Sequence, residues 1–253
     1  MSVAVVTGAA SPHGIGFAIA KRLAARGLDL VLIDLSEDVT ARADELAGQG
    51  IRALGLTCDL TDEEMVTSAV SAATEFAVAG GGHVEVLVNN AGIASPTRIA
   101  DITHDEWHTL MDVNLTGMFL LTQAFGVAMR ERGGGAIINM SSISAQQGGG
   151  NFAGAHYAAS KAAVLGFTKA AARELAPGGV AVNAVAPGLI DTDITSAVLR
   201  EAEESGETKF VAGIPAGRPG TPDDVASAVE FLALDAGFVV GQVISVNGGA
   251  YLP

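Results

Sequence analysis

The first 36 residues contain the pattern that most restricts the fold of this chain. The segment 2–8, SVAVVTG, is a short apolar run that ends in glycine, and the segment 14–27, GIGFAIAKRLAARG, has the apolar spacing of an amphipathic helix. The segment 28–36, LDLVLIDLS, is a second apolar run that reaches an acid, Asp34. A strand, a glycine turn, a helix and a strand with a terminal acid predict the opening βαβ unit of a dinucleotide-binding sheet.

Strand and helix patterns continue to alternate along the rest of the chain. Further strand patterns occur at 51–60, 84–92, 136–141, 178–188 and 241–249, with helical patterns between most of them. This alternation predicts an α/β fold: a single doubly wound parallel β-sheet, Rossmann-like, with helices on both faces. A length of 253 residues suits one domain, 1–253, with a full hydrophobic core.

The glycine turn and Asp34 indicate nucleotide binding. Glycine lets the backbone approach a pyrophosphate, and the helix that begins near Gly14 offers unpaired N–H groups to it. The carboxylate of Asp34 is expected to accept hydrogen bonds from the adenosine ribose and to repel a 2′-phosphate by several kcal/mol at ~4 Å. The alternative is a glycine-rich turn beside a surface acid. The order of strand, turn and helix favours a nucleotide site, with NAD preferred over NADP.

A phenol and an amine stand four residues apart in the stretch 141–161, SSISAQQGGGNFAGAHYAASK. On a helix, Tyr157 and Lys161 project from one face, where an ammonium favours ionisation of the phenol. A cation at roughly 4 to 5 Å is expected to lower the pKa of Tyr157 by ~2 to 3 units. Ser142 lies at the end of the strand pattern AIINMS and is expected to hold a substrate oxygen. The alternative interpretation is a half-buried tyrosine under a snorkelling lysine.

Charge and cysteine content argue against several classes of function. The chain has 28 acidic and 14 basic residues, and its formal net charge of -14 repels polyanions. The single cysteine, Cys58, cannot form an internal disulfide, and the strand pattern from Ser2 leaves no room for a signal segment. No uninterrupted apolar run approaches the length of a membrane span. We therefore expect a soluble, cytoplasmic protein that binds neither nucleic acid nor membranes.

Polar residues mark the start of two predicted helices. Thr61 with Glu64, and Thr103 with Glu106, each have the spacing of a capping box. In such a box the two side chains satisfy backbone N–H groups reciprocally. Both pairs are therefore expected to lie in exposed first turns.

The helical pattern over 103–132 also contains a pair of histidines that resembles a metal site. His104 and His108 are four residues apart, but the acids between them are in the wrong order for a helical zinc motif. We predict no metal site. Farther along the same helix, Asn114 needs a hydrogen-bond partner, whether its role is structural or functional.

With these residues in place, the chain resembles the short-chain dehydrogenase/reductase family over essentially its whole length. The shared motifs, in the family's order, are the glycine turn TG…GIG, NNAG at 89–92, Asn114 in VNLTG, the serine, YxxxK at 157–161, PG at 187–188 and the closing VNGG. Each motif alone is weak, whereas the set is highly specific. The resemblance implies reversible hydride transfer between a secondary alcohol and NAD.

The resemblance also implies a role for each matching residue. Tyr157 becomes the general acid/base, Ser142 the donor that positions the substrate oxygen, and Lys161 the cation beside the phenol and a ligand of the nicotinamide ribose. Asn114 supports a water-linked proton relay behind Lys161. The implied cofactor contacts are Gly8, Ser11, His13, Gly14, Ile15 and Gly16 at the glycine turn, Asp34 at the ribose, Asp59 and Leu60 at the adenine, Asn90, Ala91 and Gly92 along the cofactor, Tyr157 and Lys161, and Pro187, Gly188, Ile190 and Thr192 around the nicotinamide.

Two intervals depart from the family pattern. The turn has five residues between Gly8 and Gly14 where the family usually has three, which leaves the contacts of this longer loop open. The interval between Ser142 and Tyr157 is two residues longer than usual. Ser141 is therefore the alternative for the reactive serine.

The substrate is expected to be a small-molecule alcohol, sugar or ketone, covered by a loop formed from the segment 189–220. The candidates for substrate contacts share only their place in the predicted loops. They are Gln147, Asn151 and His156 among polar residues, and Phe152, Leu199, Phe210 and Ile214 among apolar ones. Ordinary loop packing accounts for each of them equally well. Family members are commonly tetramers, and the helix 157–176, which is rich in small apolar residues, is a candidate surface for a homotetramer.

Three alternative functions remain open. A 3-oxoacyl-carrier-protein reductase fits a local basic patch formed by Arg130, Arg132, Lys169 and Arg173, but Asp34 and the overall acidity disfavour it. A nucleotide-sensing protein without turnover would keep the fold, but the complete set of serine, tyrosine and lysine disfavours that role. An enoyl reductase is disfavoured because those relatives space the tyrosine and the lysine more widely.

Overall fold

The chain alternates strands and helices as its sequence pattern predicts. The computed structural model describes residues 2–149, 153–193, 195–196, 199 and 209–252. The strands are β1 (Ser2–Thr7), β2 (Asp29–Asp34), β3 (Ala53–Thr57), β4 (His83–Asn89), β5 (Gly135–Met140), β6 (Val180–Pro187) and β7 (Val243–Val246). The helices are α1 (Ile15–Ala25), α2 (Asp38–Ala47), α3 (Glu63–Ala79), α4 (His104–Met111), α5 (Gly117–Arg132), α6 (Ser144–Gln147), α7 (Ala155–Leu175), α8 (Lys209–Ala212) and α9 (Pro222–Leu234).

Within the described part of the chain, seven parallel strands form one sheet in the order β3-β2-β1-β4-β5-β6-β7. The order reverses direction between β1 and β4, where the chain crosses from one half of the sheet to the other. Ligands of open α/β sheets bind outside the carboxyl ends of the strands at such a switch point. The loops that follow β1 and β4 are therefore placed at the expected binding crevice.

Helices cover both faces of the sheet because successive strand residues point to opposite sides. On β1, Ala4 and Val6 belong to a core shared with α1, α2 and α9, whereas Val3 and Val5 belong to a second core shared with α3, α5 and α7. All four residues are fully buried. The predicted doubly wound α/β fold is confirmed.

A chain of buried polar side chains connects the centre of the sheet to α7. The Asn89 amide donates to Asn139 Oδ1 at 2.9 Å and to Thr122 Oγ1 at 3.0 Å. The Asn139 amide in turn donates to Thr168 Oγ1 at 3.0 Å, and all four side chains are buried. Because buried polar groups are costly without partners, this network restricts where α7 lies on the sheet.

The cap of α3 differs from the sequence expectation. Asp62, not Thr61, caps the helix, and its carboxylate accepts hydrogen bonds from the backbone N–H groups of Glu64 and Met65. Thr61 is unavailable because its own N–H and hydroxyl donate to the carboxylate of Asp59 at 2.9 and 2.8 Å. The predicted capping box at Thr61 is wrong.

The helix predicted over 103–132 is interrupted by a π-helical turn, Asp112–Thr116, between α4 and α5. Asn114 lies inside this turn, and such turns often occur at functional sites. The helical stretch His104–Arg132 is long and apolar enough to cross a membrane, with a mean hydropathy of 1.2, but this criterion uses only length and composition. Its residues Leu121 and Phe125 are buried in the core beneath the sheet, as expected of a helix that packs inside a protein.

The two ends of the predicted substrate segment, 189–220, lie side by side. Ile190 forms a parallel bridge with Gly220, and the Asp191 N–H donates to the Gly220 carbonyl at 2.8 Å. The segment therefore leaves and rejoins the fold at one place beyond β6. Residues 194, 197–198 and 200–208 lie outside the described part of the chain.

Removal of the Asp29 carboxylate is expected to destabilise the protein. Asp29 is buried and accepts hydrogen bonds from the N–H and Nε of Arg52 at 2.9 and 2.8 Å. Asp29→Ala leaves these donors without their acceptor, so the free energy of unfolding in urea should fall by about 2 to 4 kcal/mol. Asp44→Ala, which removes an exposed carboxylate from α2, should change it by less than ~0.5 kcal/mol. Equal effects of the two substitutions would contradict this account.

Candidate active site

Two turns meet at the switch point of the sheet so closely that side chains cannot fit between them. Gly8, after β1, has a φ of +68°, and a Cβ at this position would lie 2.9 Å from Ala91 Cα in the turn after β4. A Cβ at Gly16 would clash with the carbonyl oxygen of Gly8. Only glycine fits at these two positions, so the glycine turn packs its backbone directly against the turn after β4 and the start of α1.

The N-terminus of α1 presents donors to the same crevice. Gly14 occupies the cap position without a side-chain hydrogen bond, and the first turn contains no acidic residue. The N–H groups of a first helical turn have no partners within the helix, and the helix dipole favours an anion there. This donor set fits the pyrophosphate of a dinucleotide.

The carboxylate of Asp34 borders the glycine turn at the end of β2. Its Oδ2 accepts from the Ala10 N–H at 2.9 Å, and its Oδ1 accepts from the Ser36 N–H at 3.0 Å. These bonds fix the orientation of the carboxylate, and each oxygen keeps capacity for a further donor. The position fits the predicted contact with ribose hydroxyls.

Asn90 holds the two turns together. Its amide donates to the carbonyls of Thr7 and Gly8 at 2.9 and 3.1 Å, and the Thr7 hydroxyl accepts from the N–H groups of Asn90 and Ala91. The side chain of Asn90 is therefore used within the protein. We therefore expect its predicted contact with the cofactor to be made by the backbone of this turn.

Ser142 lies close enough to Tyr157 to affect its ionisation. The Ser142 hydroxyl accepts from the Ser144 N–H at 3.1 Å, and its interaction with the phenol lowers the pKa of Tyr157, against the effect of burial. Ser141, the alternative in the sequence, is buried and donates instead to the carbonyl of Lys161 at 2.8 Å. The geometry favours Ser142 as the serine beside the phenol.

Lys161 is buried one turn along α7 from Tyr157. Its Nζ donates to the Met140 carbonyl at 3.0 Å, and a Cβ at Gly92 would lie 3.1 Å from the same nitrogen. Burial lowers the pKa of Lys161 to about 8. The amine therefore lies between the end of β5 and the turn after β4.

The predicted fall in the pKa of Tyr157 is wrong for this structure. Burial of the phenol raises its pKa, and the hydrogen bond from Ser142 opposes this rise only in part. The Lys161 nitrogen is 5.9 Å from the ring centroid and points to the Met140 carbonyl. Because desolvation of the phenolate is the largest effect on this group, the neutral phenol is the favoured form.

The side chain of Asn114 is fully occupied by two neighbours. Its amide donates to the Ile93 carbonyl and to Ser160 Oγ, each at 3.0 Å, and its Oδ1 accepts from the Ile93 N–H at 2.8 Å. The described role of this side chain is to hold the loop after β4 against α7. The predicted water relay behind Lys161 stays a prediction.

A cavity of about 530 Å³ lies between the glycine turn and the segment after β6. Its lining includes His13, Gly14 and Thr192, three of the predicted cofactor contacts. The Ser11 hydroxyl reaches across and is hydrogen-bonded to the carboxylate of Asp193. The longer glycine turn therefore contacts the start of the predicted substrate segment.

The remaining predicted cofactor residues lie at or just after strand ends, except for one at the start of α1. The Gly188 N–H donates to the Val246 carbonyl at 2.9 Å, and Ile190 is buried beside Gly220. After β3, Leu60 is buried against Gly117. Asp59 beside it, Pro187 at the end of β6 and Ile15 at the start of α1 complete the set.

The predicted substrate contacts lie in different environments and stay predictions, except for His156. His156 is fully buried and its Nε2 lies 3.2 Å from Glu106 Oε1, so it is not available to a polyol. Leu199 and Ile214 are also buried, whereas Gln147 is exposed. Asn151, Phe152 and the side chain of Phe210 lie outside the described residues.

No metal centre is found among the residues that the structure describes. His104 and His108 tilt toward each other with ring centroids 5.7 Å apart on α4. No set of three or more histidine, cysteine, aspartate or glutamate side chains in the described ranges is arranged to hold an ion.

Comparison with known proteins finds relatives over almost the whole chain. Residues 8–251 match a family model described as enoyl-(acyl carrier protein) reductase. An uncharacterized short-chain type dehydrogenase/reductase of Sinorhizobium fredii is 45% identical over 249 residues, which cover 97% of this chain and 96% of the relative.

Two solved structures share the fold and differ in the nucleotide they contain. A putative NAD(P)-dependent gluconate 5-dehydrogenase from Beutenbergia cavernae, with NADP bound at low occupancy, has a TM-score of 0.88 and 41% identity, covering 98% of this chain and 96% of that one. A 3-oxoacyl-acyl-carrier-protein reductase from Brucella melitensis with bound NAD has a TM-score of 0.86 and 35% identity, covering 100% of this chain and 91% of that one.

The pKa of Lys161 is expected to make stability rise with pH. In the unfolded chain the amine keeps its ordinary pKa of 10.5, whereas burial lowers it to about 8 in the fold. Between these values the unfolded chain binds the additional proton, so the free energy of unfolding should rise by at most ~1.4 kcal/mol per pH unit. Lys161→Met removes the charge and keeps an unbranched stem. From pH 8 to 9.5, urea denaturation should show a steeper rise for the wild type, and parallel curves would contradict this.

Proposed function

Because this chain belongs to the short-chain dehydrogenase/reductase family, we propose that it is an NAD(H)-dependent oxidoreductase that interconverts a secondary alcohol and a ketone. One observation carries the proposal. The phenol of Tyr157 lies close enough to the Ser142 hydroxyl for that hydroxyl to lower its pKa, and one helical turn from the buried amine of Lys161, which lies between the end of β5 and the turn after β4. This arrangement joins a proton donor to an oxygen-binding group beside a dinucleotide site.

Each residue of the site has a distinct task in this proposal. The Ser142 oxygen accepts from the Ser144 N–H, and the serine's own O–H is the donor to the substrate oxygen. Tyr157 gives a proton to a ketone oxygen or takes one from an alcohol, and its raised pKa favours the acid form needed for reduction. Lys161 stabilises the phenolate that forms. A bound nicotinamide nucleotide supplies the hydride or accepts it.

The charge around Asp34 supports NAD over NADP. Glu37 and Asp38 follow at the start of α2, so the segment 34–41 carries three carboxylates and no basic side chain. The basic residue of α2, Arg42, is paired with Glu45 at 3.0 Å and lies over the Phe17 ring. Solved relatives contain either nucleotide, so the preference rests on this local charge.

A second candidate is the reduction of 3-oxoacyl groups on an acyl carrier protein. The solved 3-oxoacyl reductase that shares the fold favours it, as do the exposed Arg130, Lys169 and Arg173 on α5 and α7. Arg132, the fourth basic residue of this patch, donates to the Val84 carbonyl at 2.7 Å. The net charge of -14 opposes binding of an acidic carrier. A small-molecule alcohol or ketone is therefore the preferred substrate.

A homotetramer is part of the proposal. Phe119 on α5 is 40% exposed and packs edge-on against Phe167 on α7, with ring centroids 6.2 Å apart. Val127 on the same face of α5 is 43% exposed. Apolar side chains at the surface of two adjacent helices suit a helix-to-helix contact between subunits.

Replacement of Tyr157 by phenylalanine is expected to remove the acid/base group and leave the rest of the site in place. Turnover in a screen of secondary alcohols and ketones, followed at the reduced-nicotinamide absorbance, should fall by at least about 100-fold. The affinity for NADH, measured by fluorescence titration, should stay within about threefold. Tyr251→Phe, at the other tyrosine of the chain, is the matched control. Full turnover by Tyr157→Phe would refute the assignment.

Neutralising Asp34 is expected to weaken the preference for NAD. Asp34→Asn removes the charge that repels a 2′-phosphate, so kcat/KM for NADP relative to NAD should rise by about tenfold or more. The same ratio should not change in Asp44→Asn, which neutralises an exposed carboxylate on α2, away from the end of β2. An unchanged ratio in Asp34→Asn, or a wild type that prefers NADP, would overturn the preference for NAD.

A further inference from the structure

A compact hydrogen-bond network lies at the start of α7 and includes the residue that precedes the proposed acid/base. The carboxylate oxygen Oε1 of Glu106 accepts from Ser95 Oγ and from Thr97 Oγ1, each at 2.6 Å, and lies 3.2 Å from His156 Nε2. Ser95 and Thr97 belong to the loop after β4, Glu106 to α4, and His156 to the first turn of α7. One oxygen thus joins the loop after β4, α4 and the start of α7, which contains Tyr157.

The histidine of this network depends on the glutamate. His156 is fully buried, and its Nδ1 has no hydrogen-bond partner within the described part of the chain. The bond from Nε2 to Glu106 is therefore the polar contact that the structure gives to this imidazole. The hydrogen bonds from Ser95 and Thr97 lower the pKa of Glu106, which keeps it an acceptor for all three donors.

A second contact makes the junction between loop and helix rigid. The Gly154 N–H donates to the Ser95 carbonyl at 2.7 Å. A Cβ at Gly154 would clash with the Thr97 carbonyl and would lie 2.8 Å from the His156 ring. With no free space at this junction, a shift of the loop is transmitted to the start of α7.

The stretch 104–116, which contains Glu106, also holds α7 on the C-terminal side of Tyr157. Asn114 donates to Ser160 Oγ at 3.0 Å, and Ser160 Oγ donates to the Tyr157 carbonyl at 2.8 Å. Glu106 holds the residue before Tyr157, and Asn114 holds the residue three positions after it. Tyr157 is thus set between two supports that both come from the stretch 104–116.

We propose that Glu106 is a positioning residue, which acts through His156 and the loop 93–97 to hold the phenol of Tyr157 against Ser142. It touches neither the phenol nor the crevice in the described contacts, so it is not a catalytic residue. This inference rests on the proposed function. The capping-box prediction was half right. Thr103 accepts from the Glu106 N–H as predicted, but the Glu106 carboxylate bonds to the loop after β4 and to α7, where it supports the acid/base.

Substitution of Glu106 separates positioning from general stability. Glu106→Ala should lower kcat by about 10- to 100-fold, the effect of a misplaced catalytic group, with NADH affinity within about twofold. Loss of the Ser142 contact removes the hydrogen bond that lowers the pKa of Tyr157, so the pH profile of kcat for alcohol oxidation should move to higher pH. Glu106→Gln keeps an acceptor oxygen and should retain kcat within about fivefold.

Two variants of His156 keep the test decisive if Glu106→Ala does not fold. His156→Gln retains a donor near the Nε2 position and should keep most of kcat, whereas His156→Leu should lose it as Glu106→Ala does. Asp105→Asn, which changes the exposed carboxylate next to Glu106, is the matched control.

The outcomes distinguish this inference from the proposed function. A wild type that turns over alcohols, together with a Glu106→Ala variant of equal kcat, would overturn the inference alone. A fall in kcat with an unmoved pH profile would also overturn it, because a merely structural role lowers the active fraction and leaves the profile in place. Absence of turnover in the wild type with either nucleotide would overturn the proposed function and this inference together.

Discussion

The contact between Lys161 and the end of β5 is the interaction on which the rest of the site depends. Ser141 donates to the backbone carbonyl of Lys161 at 2.8 Å, and the amine of the same lysine donates to the Met140 carbonyl at 3.0 Å. Met140, the last residue of β5, and Ser141, which directly follows it, thus hold both ends of one helix residue. This double contact sets the rotation of α7 on the sheet, and with it the face on which Tyr157 meets Ser142.

The charge state of the site follows from burial more than from proximity. A lysine one turn from a tyrosine suggests an easily ionised phenol, but both groups lie in a poorly solvated place, which disfavours phenolate and ammonium alike. Burial raises the pKa of Tyr157 and lowers that of Lys161 to about 8. The neutral phenol beside Ser142 is therefore ready to protonate a ketone oxygen, and the reverse direction requires its deprotonation.

The parts that the sequence predicts correctly are those that local pattern determines. Strand alternation, the glycine turn after β1 and the four-residue spacing in α7 need no knowledge of distant partners. Features decided by tertiary contacts escape such reasoning. The hydroxyl of Thr61 donates to the Asp59 carboxylate, so Asp62 caps α3 instead. The carboxylate of Glu106 accepts a hydrogen bond from the loop after β4. The π-helical turn around Asn114 has no local signal either, since its amide finds its partners in Ile93 and Ser160.

The most direct measurement is an experimental structure of the protein with reduced nucleotide and a ketone bound together. The account predicts that the ketone oxygen lies within hydrogen-bond distance, roughly 2.5 to 3.2 Å, of both Tyr157 Oη and Ser142 Oγ. It also predicts the pyrophosphate at the N-terminus of α1 and the adenosine ribose at Asp34. A phenol that points away from the ketone, or a nucleotide bound at another edge of the sheet, would contradict the account.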